Sequence, residues 1–203
     1  MINMTKITII DYGMGNLYSV SKAVAAVGAE PVVTSDAEVI AQAEKILLPG
    51  VGAFGDCMAN LEKSGLIPVI KEHLAKGTPF LGICLGMQVL FEGSEEDPGV
   101  AGLGYFKGQV KKLTTQEKIP HMGWNKLELR TASPLLEEAA GDYVYFVHSF
   151  HAEPEDKSII TAVCDYGQEV TASVGKGNVQ AFQFHPEKSS RVGLALLKKF
   201  VEL

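Results

Sequence analysis

Cysteine is scarce in this sequence, and the three present, Cys57, Cys84 and Cys164, are far apart with no Cys-x-x-Cys pair among them. That spacing excludes a disulfide framework and a zinc finger. An apolar run long enough to cross a bilayer is also lacking, since Ile7–Ile10 and Ile46–Leu48 are among the longest stretches. Met1–Lys6 carry neither the apolar run nor the cleavage site of a signal peptide, so a cytoplasmic protein is expected. Basic residues are in deficit, 18 against 24 acidic, for a formal net charge of −6. Broad binding to nucleic acid or to acidic membrane needs clustered Lys and Arg, so small molecules and proteins are the expected partners. Phosphate-binding fingerprints fail as well. Gly13-Met14-Gly15 starts a Gly-x-Gly-x-x-Gly pattern whose third position is Tyr18, and no Gly-x-x-x-x-Gly-Lys occurs. His148 and His151, three apart in an expected strand, fall on opposite faces without a completing carboxylate or thiol. No metal and no cofactor is expected.

What is there is a core. A chain of 203 residues that is 46% hydrophobic and 21% charged has the size and composition of one folded domain, spanning residues 1–203. Its first half alternates short apolar runs with amphipathic stretches: 6–11, 17–27, 31–34, 37–43 and 45–48. This βαβαβ rhythm implies parallel strands joined by crossover helices, with Asn16 and Asp36 as helix caps. A helix at 68–75 and a buried strand at 79–83 follow, the next helix beginning near Met87. Beyond Tyr105 the texture becomes β-rich and reads as antiparallel or mixed, with strands at 105–113, 121–129, 143–153, 159–165, 170–174 and 179–185 before a closing helix at 191–201. The expected fold is α/β, an open, mostly parallel sheet flanked by helices, with a β-rich antiparallel extension.

Gly82-Ile83-Cys84-Leu85-Gly86 has the form Gly-x-nucleophile-x-Gly, the strand-to-helix elbow that raises a nucleophile above a sheet. A thiol there sits at a helix N-terminus, and the Leu85 amide is a candidate oxyanion donor. Alone, the motif fits a small buried cysteine in a βα turn equally well. A candidate base and its orienting carboxylate stand in Phe184-His185-Pro186-Glu187, where an extended backbone sends His185 and Glu187 to one face. The Gly-rich Pro49-Gly50-Val51-Gly52-Ala53-Phe54-Gly55 follows a strand, where open sheets bind ligands, and the Val51 and Gly52 amides are candidates for a second oxyanion donor.

Together these elements resemble the triad, or class I, glutamine amidotransferases, which have a flavodoxin-like architecture. In that family the elbow is commonly followed by Met-Gln, matched by Met87 and Gln88. The resemblance covers the whole chain and narrows to one branch, the glutaminase subunits of imidazole glycerol phosphate synthase in histidine biosynthesis. Four segments carry it: Ile10-Asp11-Tyr12-Gly13-Met14-Gly15-Asn16-Leu17, Pro49-Gly50-Val51-Gly52, His121-Met122-Gly123-Trp124-Asn125 and Tyr145-Phe146-Val147-His148-Ser149-Phe150.

The resemblance implies a Cys84–His185–Glu187 triad that acylates on glutamine and frees ammonia. It implies substrate contacts from Gly50, Gln88, Glu96, Ser149 and Phe150, and a heterodimer with a (β/α)8 cyclase through Asn16, Met122, Trp124 and Lys126. The cyclase would turn the ammonia and a ribonucleotide into imidazole glycerol phosphate and aminoimidazole carboxamide ribonucleotide. The alternatives are a glutaminase serving another synthase, of pyridoxal phosphate or anthranilate type, a thiol hydrolase or peptidase of similar fold, and a non-catalytic binding module, which an intact triad disfavours.

Overall fold

The computed structural model describes residues 4–203, so the reading of Met1–Asn3 as free of a signal peptide lies outside the described residues. In chain order the first half runs β1 (Lys6–Ile10), α1 (Leu17–Ala26), β2 (Glu30–Thr34), α2 (Ala37–Ala41), β3 (Ile46–Gly50), α3 (Phe54–Ser64), α4 (Ile67–Lys76), β4 (Phe80–Cys84) and α5 (Leu85–Gln88). The second half adds β5 (Gly93–Ser94), β6 (Gly108–Lys112), β7 (His121–Lys126), β8 (Glu128–Leu129), β9 (Tyr143–His148), β10 (Phe150–Pro154), β11 (Ile160–Asp165), β12 (Glu169–Lys176), β13 (Val179–Phe182) and α6 (Ser190–Glu202).

The main sheet has the order β2-β1-β3-β4-β13-β12-β11-β8. From β2 to β13 every neighbouring pair is parallel, and from β13 to β8 every pair is antiparallel. Side chains alternate across it. Leu47 and Leu81 join a core with Val20 and Val24 of α1 and Leu197 and Phe200 of α6. Ile46, Leu48 and Phe80 face the other way, onto Phe54 and Leu61 of α3 and Ile70 and Leu74 of α4. Helices on both faces account for central strands that read as continuous apolar runs.

The caps form as the sequence implies: Asn16 accepts from the Ser19 amide at 3.3 Å and Asp36 from the Glu38 amide at 2.8 Å. Several expectations need correction. β13, grouped with the half expected to be antiparallel or mixed, inserts parallel to β4 in the main sheet, pairing Phe182 with Ile83. The expected strand 143–153 is two strands broken at Ser149, β9 pairing with β7 and β10 with β6 in separate small sheets. The Gly-rich 49–55 segment is only partly a loop, because Pro49 and Gly50 complete β3 while Phe54 and Gly55 open α3. Helix α3 itself was not anticipated. Its Ala53 cap has no side-chain bond, and its first amides are instead satisfied from a distant turn, Phe54 N–H by Glu96 at 2.9 Å and Gly55 N–H by Asp97 at 2.7 Å.

Candidate active site

β3, β4 and β13 end together at the carboxyl edge of the parallel block, where Gly50 lies opposite Cys84 in register. Cys84 closes β4 with φ 54° and ψ −110°, a strained backbone for a residue with a Cβ. Its flanking glycines allow this turn. A Cβ on Gly82 would lie 2.6 Å from the Gly86 carbonyl oxygen, and one on Gly86 would collide with the Leu48 carbonyl. α5 starts at Leu85, ahead of the expected Met87, and is a single turn. It therefore offers Cys84 unpaired amides, those of Leu85 and its successors, rather than a long macrodipole.

His185 arrives from the neighbouring strand. Its amide donates to the Tyr145 carbonyl at 2.9 Å, and its carbonyl accepts from the Ser189 hydroxyl at 2.6 Å. Ser189 in turn accepts from the Tyr145 amide at 2.9 Å, which ties the segment to β9. His185 Nδ1 lies 2.8 Å from Glu187 Oε1, with both side chains almost wholly buried. The extended-strand explanation of this pair does not hold, because Pro186–Lys188 form a 3-10 turn that brings the carboxylate back to the ring. Burial pulls the imidazole toward its neutral form. Interaction with Cys84 and with Glu187 outweighs that pull and raises the pKa to about 9. His185 Nε2 is buried without a hydrogen-bond partner.

A cavity of about 280 Å³ opens at this edge, lined among others by Val51, Gly52, Cys84, Leu85, Gln88, Glu96, Ser149, Phe150 and His185. The sequence's candidate triad, oxyanion and substrate residues thus meet in one place, apart from Gly50 and Glu187, which lie just behind the wall beside Cys84 and His185. Gln88 donates from Nε2 to the Phe150 carbonyl and to Gln183 Oε1, each at 3.0 Å. Glu96 uses Oε2 on the Phe54 amide while lining the cavity.

Of the expected interface residues, Met122 and Trp124 are 61% and 51% exposed on β7 and Lys126 is exposed, whereas Asn16 is half-buried and committed to capping α1. Sequence reasoning missed Gln183, whose Nε2 approaches Cys84 Sγ at 3.8 Å, and Ser189. Gln183 stands two residues before His185, a spacing that placed it near the same site. His148, to which the sequence assigned no metal-binding role, lines the cavity. Among the described residues no cluster of His, Cys, Asp or Glu could hold a metal, and no helix is long and apolar enough to cross a membrane.

A nucleophile elbow, a buried His–Glu pair beside it and a glycine strand opposite, all at the carboxyl edge of a parallel sheet, agree with the family assignment from sequence comparison. Residues 8–203 match the family "Glutamine amidotransferase class-I", and the chain belongs to it. Solved structures share the fold: a glutamine amidotransferase with a TM-score of 0.76 at 16% identity, covering 97% of this chain and 99% of that one, and PurLQS from Thermotoga maritima, also 0.76, at 21% identity, covering 98% and 97%. Within the family, the chain belongs with the HisH subunits of imidazole glycerol phosphate synthase. It is 54% identical over 194 residues to that of Aquifex aeolicus, covering 95% of this chain and 94% of the relative, and 50% identical over 208 residues to that of Geobacter sulfurreducens, covering 98% and 100%.

Proposed function

We propose that this chain is the glutaminase subunit of an imidazole glycerol phosphate synthase, acting in the cytoplasm and passing ammonia to a cyclase of (β/α)8 fold. The observation that carries the chemistry is His185, held through Nδ1 by Glu187 while its buried Nε2 has no partner, in the wall of the cavity that Cys84 also lines. Nε2 already carries the proton passed from the thiol, and the sulfur attacks the glutamine side-chain carbonyl. The carbonyl oxygen, now charged, is met by amides of the elbow and the glycine strand, Leu85 and Val51 or Gly52, each such donor contributing about 3 kcal/mol. As the C–N bond breaks, His185 returns the proton to the leaving ammonia. Water, deprotonated by the same nitrogen, then attacks the thioester; the C–S bond breaks, giving glutamate and the free thiol.

Gly50, Gln88, Glu96, Ser149 and Phe150 hold the substrate. Glu96 keeps one oxygen for the α-ammonium group, and Gln88 Oε1 is its second acceptor. Met122, Trp124 and Lys126 form the docking face for the cyclase, which gives the large exposed apolar groups of β7 a role. Reconstitution tests the reading. Cys84→Ala should abolish synthesis from glutamine and leave synthesis from ammonium salt intact; loss of both would remove ammonia delivery as the mechanism.

A further inference from the structure

Two buried histidines outside the triad have hydrogen bonds whose direction is forced. His148 Nδ1 lies 2.8 Å from the Phe150 carbonyl, which only accepts, so Nδ1 carries the proton. In the neutral ring Nε2 is then an acceptor, and the atom 2.9 Å from it, His121 Nδ1, must donate. His121 Nε2 becomes an acceptor in turn and faces the Asn125 amide nitrogen at 3.2 Å. That nitrogen also donates to the Asp165 carbonyl at 2.8 Å, so carbonyls at both ends impose one consistent direction. Burial keeps both rings neutral, lowering His121 to about 4 and His148 to about 3. Stacking against Phe146 and Tyr166, at ring centroid distances of 4.6 and 4.0 Å, fixes the plane of His121.

The chain of bonds ends at the cavity. The Phe150 carbonyl that accepts from His148 also accepts from Gln88, which bonds Gln183, which reaches Cys84 Sγ at 3.8 Å. At its other end His121 and Asn125 alternate along β7 with the exposed Met122 and Trp124. We infer that His121 and His148 are positioning residues, two neutral imidazoles each protonated on Nδ1, that hold the Phe150 carbonyl and through it set Gln88 and Gln183 beside Cys84. The role in glutamine binding rests on the proposed glutaminase reading. Because the pair acts through Gln88, its loss weakens substrate binding more than turnover.

Nitrogen-15 NMR of the histidine side chains at neutral pH reads the tautomers directly. Both His121 and His148 are expected with a protonated Nδ1 and an acceptor Nε2; an Nε2–H tautomer or an imidazolium at either position overturns the inference. This measurement does not depend on catalysis, so it stands apart from the glutaminase reading, which fails only if the wild-type chain with its cyclase does not hydrolyse glutamine. Kinetically, His121→Phe keeps the stack and loses the donor. KM for glutamine should rise about tenfold, the effect of one lost hydrogen bond, with kcat within about twofold. His121→Gln, whose amide can donate, should recover most of the change. An unchanged KM, or a fall in kcat alone, sinks the positioning role, and the tautomer measurement decides the matter if His121→Phe does not fold.

Discussion

Gly50 stands opposite Cys84 in the β3–β4 ladder, and nothing larger than hydrogen fits on it: a Cβ would lie 2.8 Å from the Tyr12 hydroxyl and 2.9 Å from the Gly86 amide nitrogen. The residue that brings the glycine strand up to the nucleophile is therefore fixed by packing as well as by chemistry. Gly50→Ala should destabilise the fold by about 1–3 kcal/mol, the usual cost of overpacking, read from the urea midpoint. Its kcat should fall too, because relief of the clash must move either the elbow or the strand. A variant with wild-type stability and kcat would contradict this geometry.

Tyr12 is the other side of that contact. Its hydroxyl donates to the Pro49 carbonyl at 2.8 Å, and Cys57 Sγ lies 3.2 Å from the Tyr12 hydroxyl oxygen, placed to donate to it. Tyr12→Phe leaves a buried carbonyl without a donor and should cost about 1–3 kcal/mol of unfolding free energy. A much smaller loss in chemical denaturation would mean that water replaces the hydroxyl.

Much of this arrangement was legible in the residues. The short apolar runs alternating with amphipathic stretches and the Asn16 and Asp36 caps pointed to the parallel half, and Gly82-Ile83-Cys84-Leu85-Gly86 to the elbow, where only glycine fits at 82 and 86. Strand neighbours were not legible. β13 joins β4 across nearly a hundred residues, and local pattern carries no information on that pairing, so the strand was grouped with the antiparallel segments around it. Helix α3 was hidden by the glycines of 50–55 and by a cap supplied from Glu96 and Asp97, which no local capping signal announces. The spacing of His185 and Glu187 points to their pairing, but a 3-10 turn rather than strand alternation closes it.

Thiol chemistry should single out Cys84. Cys57 and Cys164 are fully buried, and desolvation pushes both thiols up to about 12, whereas Cys84 lines the cavity. Iodoacetamide at neutral pH is expected to modify one thiol per folded chain, and Cys84→Ala should remove that label. Mass spectrometry reads the count and the position. Labelling of Cys57 or Cys164 in the native protein at a comparable rate would contradict the burial described.

His121 and His148 make the fold sensitive to acid. Their folded pKa values, about 4 and about 3, lie below the ordinary 6.5, so the unfolded chain binds protons that the native state refuses. The associated stability is present above pH 6.5 and is lost as pH falls through the folded values. Urea unfolding at pH 7 and pH 5 should show this loss, and His121→Phe should lessen it. An equal pH dependence in the variant would assign the acid sensitivity elsewhere.

His185 acts in the opposite sense. Its pKa rises from 6.5 to about 9 because Cys84 and Glu187 outweigh burial, so between those values the native state holds a proton that the unfolded chain releases. The resulting stability is complete below pH 6.5 and is lost as pH rises through about 9. Melting temperatures across pH 6 to 9.5 should therefore decline more steeply for the wild type than for Glu187→Gln, in which one of the groups raising the imidazole pKa is gone. In that variant the ring's hold on its proton weakens and its orientation loosens, so kcat for glutamine hydrolysis should drop by at least about a hundredfold, the scale of general acid–base catalysis. Parallel melting curves together with a normal kcat would show that Glu187 neither sets the protonation of His185 nor orients it.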